Sequence, residues 1–148
     1  MIIRRILALT ALSSFAACTT TGDDTTGFVQ ATYDAELSGA AVAGTGDPDG
    51  AAVAQLTVTR DTDAVCYNVW NVSNIGAATG AHIHRGLKGQ NGPVVAPLER
   101  GDGHGWNGCI ERTGLADEML SSGPQEYYVQ IHTFEYPNGA IRGQLSVD

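Results

Sequence analysis

The segment Tyr127-Tyr128-Val129-Gln130-Ile131-His132-Thr133, then Tyr136-Pro137-Asn138-Gly139, then Ile141-Arg142-Gly143-Gln144-Leu145-Ser146-Val147, spells out a β-hairpin. Val129 and Ile131 alternate with Tyr128, Gln130 and His132, the period of two expected of a strand with unlike faces. Proline, asparagine and glycine between the runs supply a turn. Ile141, Gly143, Leu145 and Val147 then return opposite Arg142, Gln144 and Ser146. With Val129, Ile131, Ile141 and Leu145 on the core, His132 and Arg142 share the outer face as near-diagonal neighbours.

The same alternation recurs upstream. Val29, Ala31, Tyr33, Ala35 and Leu37 alternate with Gln30, Thr32, Asp34 and Glu36, and Ala54, Leu56 and Val58 alternate with Gln55, Thr57 and Thr59. Residues 38–50 form a small-residue loop closing on Asp47-Pro48-Asp49-Gly50. That tetrapeptide could begin a calcium loop, but the rest of the pattern is missing and a turn is the better reading. Residues 65–72 give a third strand, and residues 94–98, flanked by Pro93 and Pro97, suit a sheet edge. Residues 99–108 read as a loop around His104 and Trp106, and Cys109 and Ile110 as a brief apolar piece. Only residues 115–120 look helical, with Thr113 as the expected cap and Asp117 and Glu118 near the start. Short strands with frequent turns predict an all-β fold, an antiparallel Greek-key β-sandwich with one short helix.

Residues 1–17 read as a removable signal peptide: Arg4 and Arg5, an apolar run too short to span a bilayer, then small residues. Cys18 after Ala16-Ala17 resembles a bacterial lipobox, with Phe15 where leucine is usual. The resemblance implies cleavage before Cys18, a lipid on its thiol, and anchorage in the cell envelope, at an outer membrane facing periplasm or cell surface. An ordinary signal peptide with an incidental cysteine is the alternative. Residues 18–27, rich in Thr, Gly and Asp, form a flexible tether, and residues 28–148 make a single domain. The formal net charge is −8, and losing Arg4 and Arg5 makes it two units more negative. Such a surface opposes nucleic acid and anionic lipid, so the membrane link is the lipid on Cys18. A protein or polymer partner in the envelope is left open. Cys66 and Cys109 remain as an even pair, expected to form a disulfide in an oxidising compartment. Two free thiols that bind metal are the alternative.

The chemistry centres on Gly80-Ala81-His82-Ile83-His84-Arg85-Gly86. His82 and His84 lie on the strand face that Ile83 does not use, roughly 6.5 Å apart along the chain, so both imidazoles can reach one ion. His132 shares that parity on its own strand, and His104 sits in a glycine-rich loop that could fold over the same face. Four imidazoles, or three with water, suit copper or zinc. Hydrogen-bonded histidines without metal are the alternative. No Gly-x-Ser-x-Gly elbow or phosphate loop is present, and Asp61 and Asp63 fall in a turn.

Ala81-His82-Ile83-His84, Gly92-Pro93-Val94-Val95, the 127–133 strand and Asn138-Gly139-Ala140-Ile141-Arg142-Gly143 resemble the CHRD domain, named from chordin. That resemblance runs from about residue 28 to 147. It implies a β-sandwich in extracellular or envelope proteins, and brings no agreed activity. Gly80-Ala81-His82-Ile83-His84 followed by Gly86 is also similar to the copper-binding strand of copper/zinc superoxide dismutases. His104, His132 and Arg142 occur in the order of that family's bridging histidine, late histidine and anion-attracting arginine. This second resemblance implies a superoxide-dismutase-like or immunoglobulin-like sandwich with a copper site and a dismutase-like activity. The further His and Asp ligands of a zinc site have no counterpart, and the cysteines fall elsewhere. Cupins share His-x-His, but their following glutamate is missing. A non-enzymatic envelope binding module with structural histidines is the competing function.

Overall fold

The apolar alternation read from the sequence becomes the buried face of nearly every strand. The computed structural model describes residues 29–103 and 105–147; the expected signal peptide, Cys18, the tether and His104 lie outside the described residues. β1 (Gln30–Ser38) turns Tyr33, Ala35 and Leu37 inward, β2 (Ala51–Thr59) Ala52, Ala54, Leu56 and Val58, and β3 (Ala64–Ser73) Val65, Tyr67 and Val69. β4 (Ala78–Arg85) contributes Ala81 and Ile83, β5 (Val94–Pro97) Ala96, and β6 (Trp106–Glu111) Trp106. Helix α1 (Leu115–Ser122) adds Leu115, Ala116 and Met119. β7 (Tyr127–Thr133) and β8 (Ile141–Gln144) complete the core with Tyr127, Val129, Ile131 and Ile141. Each fully buried side chain of Leu, Ile or Val size contributes roughly 1.5–3 kcal/mol.

All eight strands pair antiparallel in one sheet, ordered β5-β4-β7-β8-β1-β2-β3-β6. β4 lies beside β7 and β3 beside β6, so the chain crosses between strands distant in the order, as a Greek key requires. The sheet curls until its ends approach: the Glu99 N–H that follows β5 donates to the Tyr67 hydroxyl on β3 at 2.8 Å. The expected all-β antiparallel fold is therefore present, as one nearly closed sheet around one core.

Cys66 and Cys109 face each other directly across β3 and β6 and are joined as a disulfide. β5 is an edge strand, as its flanking prolines require. Two boundaries differ from expectation. β6 begins at Trp106, because that indole is a core side chain rather than loop cover. β8 ends at Gln144, and Val147 is 62 % exposed instead of inward. At α1, Thr113 Oγ1 accepts the Leu115 N–H at 3.3 Å, while Gly114, at φ 79°, takes the capping position itself.

β7 matters most for the site. It is buried on both faces: Val129 and Ile131 face the core, while Tyr128 and Gln130 lie under loops on the other side. Those loops turn what the sequence presents as a wet face into a second, polar interior.

Candidate metal centre

Strand register assembles the group. Across β4 and β7, His82 opposes Gln130, His84 opposes Tyr128 and Gly80 opposes His132; across β7 and β8, Gln130 opposes Arg142. Directly opposed residues point the same way, so His82, His84, His132, Tyr128, Gln130 and Arg142 all share the outer face. β4 is irregular on both sides, between Ala78 and Gly80 against β7 and between Ile83 and His84 against β5. Such bulges re-aim side chains locally.

The three imidazoles converge. Ring centroids are 5.1 Å apart for His82–His132 and 5.8 Å for the other two pairs. One nitrogen from each can be chosen so that all lie within 4.8 Å of one another. His84 Nδ1 lies 3.0 Å from the Gly92 carbonyl oxygen and His132 Nδ1 lies 2.9 Å from that of Pro137. With Nδ1–H donating to each carbonyl, both Nε2 atoms carry free lone pairs. Those Nε2 atoms and His82 Nδ1 are buried without a hydrogen-bond partner. Ligand nitrogens around a tetrahedral ion stand roughly 3.3 Å apart, so the three rings would draw together on binding, and the donor type and the fixed tautomers suit a transition metal.

Burial holds the imidazolium forms of His82 and His84 at a disadvantage, pushing both pKa values below the ordinary value. For His82 the neighbouring histidines add to this. For His84 the Gly92 carbonyl opposes it in part, while His132 and Arg142 reinforce it. Neutral imidazole is the form that binds metal.

The CHRD domain family matches residues 33–145, which include the three histidines, Arg142 and both bonded cysteines. The chain belongs to the CHRD domain family. No curated protein and no solved structure matches it.

In this CHRD domain Arg142 is not free to attract an anion to an open position, as the dismutase resemblance implied. It is 1 % exposed; Nη1 donates to the Gln90 carbonyl at 2.7 Å, and Nη2 to the Leu87 carbonyl at 2.9 Å and Gln144 Oε1 at 3.0 Å. Its guanidinium carbon lies 3.4 Å from the Tyr128 ring centroid. Arg142 ties the 86–92 loop to the sheet, because a planar fork of donors suits two carbonyls at once. That loop in turn supplies Gly92, whose N–H donates to the Tyr128 hydroxyl at 3.0 Å and whose carbonyl orients His84. Only glycine fits there, since a Cβ would overlap the Arg85 carbonyl.

Among the described residues the group that could hold a metal has three members. His104 is outside them; its neighbours Gly103 and Gly105 line a depression with Val69, Trp70 and Asn71, which contains none of the three histidines. Beside the group lies a cleft of about 700 Å³, walled by residues 42–45, Asn91, Gly92 and residues 135–138, with His84, Gln130 and His132 at its base. Its lining carries one charged side chain, Glu135, and no Lys or Arg. Gln130 and the loop–Tyr128–His84 contacts were not singled out from sequence. Strand parity placed them on the face, but only the β4–β7 register shows which residues meet.

Proposed function

We propose that this protein is a transition-metal-binding CHRD domain of the cell envelope, with copper as the favoured ion and zinc as the alternative. His82 Nδ1, His84 Nε2 and His132 Nε2 would hold the ion. The observation that carries this reading is three histidines that can each offer a ring nitrogen within 4.8 Å of the others, each of the three also holding a buried ring nitrogen without a partner. Unpaired buried polar atoms are costly, and three converging on one point fit a cation better than mutual neglect. Imidazole-only coordination suits copper and zinc over harder ions. Copper when bound supplies a one-electron couple; the chain's own residues fix ligand tautomers and shield the ion. Dismutase-like turnover of superoxide is the finer reading that the motif order supports, without help from Arg142. Anchorage through a lipid on Cys18 follows from the leader, and the acidic composition argues against nucleic acid as partner.

Metal analysis of exported protein tests the centre. We expect close to one equivalent of copper or zinc, and at least about a hundred-fold weaker binding in His84→Ala. Metal-free protein that takes up neither ion at micromolar concentration overturns the reading. The competing function, a non-enzymatic envelope module, is favoured by one observation: His84 and His132 each hold a loop carbonyl without needing an ion. It predicts that His82→Ala leaves fold and envelope behaviour intact.

A further inference from the structure

Gln130 lies on β7 directly opposite His82, two residues from His132, and is 2 % exposed. Its Nε2 donates to the Asn138 carbonyl at 2.7 Å, which fixes the amide's orientation and leaves Oε1 as an acceptor. Oε1 is buried and has no donor. Gly139, at φ 126°, makes the arrangement possible, because a Cβ there would overlap the Gln130 amide. His84 and His132 have committed Nδ1–H to Gly92 and Pro137, and the Nε2–H that His82 carries when Nδ1 is free does not reach Gln130 Oε1. The hydrogen bonds of the Arg142 terminal nitrogens go to Leu87, Gln90 and Gln144, and none reaches Gln130 Oε1.

Three protein nitrogens leave a metal at least one further position. Resting on the metal reading above, we propose that this position takes a protic oxygen ligand whose hydrogen is accepted by Gln130 Oε1. The ligand is water or the hydroxyl of a neutral organic molecule seated in the adjoining cleft. A volume of about 700 Å³ suits a small organic molecule. An anion able only to accept hydrogen bonds would meet the Oε1 lone pairs, and among the described residues lining the cleft the charged one is Glu135. The preferred resting ligand therefore carries O–H.

The test uses the full chain loaded with Cu(II) and followed by pulsed electron paramagnetic resonance. Exchange into D2O should introduce strongly coupled deuterons. A further coupling from carbon-deuterated glycerol in ordinary water identifies an organic hydroxyl as the source; its absence identifies water. In titrations with azide, Gln130→Met should bind the anion about ten-fold more tightly than the natural protein, with Cu(II) affinity changed less than about two-fold. Gln130→Glu, which keeps an acceptor there, should show no such gain. Copper without exchangeable deuterons overturns the proposal, as does equal azide affinity in Gln130→Met, and the deuterium result stands even if that variant fails to fold. Failure of the natural protein to bind Cu(II) at all removes the metal reading itself, and is distinguished by the first measurement.

Discussion

The ring of Tyr128 stacks on that of His84, with centroids 4.8 Å apart and planes 9° from parallel. Its hydroxyl also accepts the Gly92 N–H, and Gly92 in turn orients His84 through its carbonyl. One tyrosine thus sets a ligand's plane directly and its tautomer through the loop. Tyr128→Phe keeps the stack and loses the hydroxyl, so metal affinity should fall about ten-fold with little change in fold. Isothermal titration with zinc measures this; an affinity equal to the natural protein's would show that the hydroxyl does not position the ligand.

Arg142→Ala should act on stability. Removing the guanidinium strands the Gln90 carbonyl under the loop and leaves that of Leu87 with only the Gln90 N–H, at a cost of roughly 3 kcal/mol in urea unfolding of metal-free protein. Arg142→Lys should recover little, because one ammonium cannot reproduce the planar fork. A variant as stable as the natural protein but slower with superoxide would return Arg142 to an anion-attracting role.

Acid should loosen the metal-free domain. His82 and His84 have folded-state pKa values below the 6.5 of a free imidazole. Below about pH 6.5 the unfolded chain therefore binds more protons than the folded one, so stability falls as pH drops through the lower folded values and then levels. Urea midpoints measured from neutral pH to about pH 4.5 should follow that course. The double replacement His82→Asn with His84→Asn should flatten it.

The disulfide should matter for stability and not for metal. Cys66 and Cys109 tie β3 to β6, whereas all three histidines belong to β4 and β7. Replacing both cysteines with alanine should cost about 4 kcal/mol by chain-entropy arithmetic and leave zinc affinity within about two-fold. Intact mass under non-reducing conditions, before and after alkylation, checks the bond in protein made in an oxidising compartment.

Much of this was legible in the chain because alternation is a local signal. Ala81 and Ile83 against His82 and His84, and Val129 and Ile131 against Gln130 and His132, gave the faces correctly. Parity alone brought His82, His84 and His132 to one side. Parity does not reveal what covers a face, and loops 42–45, 86–92 and 135–138 bury the side that looked solvated. Arg142 was therefore placed correctly in the fold, while its hold on backbone carbonyls more than fifty residues away was not legible. Trp106 was lost in a run of glycines whose strand character comes from pairing with Val69, a non-local contact.

The strand order gives the histidine group a further consequence. β4 and β7 lie toward one end of the order, and β3 and β6 lie at the other. With an ion bound, the domain would have two separate fasteners, each joining segments far apart in sequence: a covalent one answering to oxidant, and one answering to metal supply. An ion that binds only the folded chain adds RT ln(1 + [M]/Kd) to its stability. A newly made chain among thiols, with no metal to spare, would have neither clasp closed. Delivered where both are provided, it would latch at both ends of the sheet, and its lifetime against proteases would depend on the chemistry of its destination.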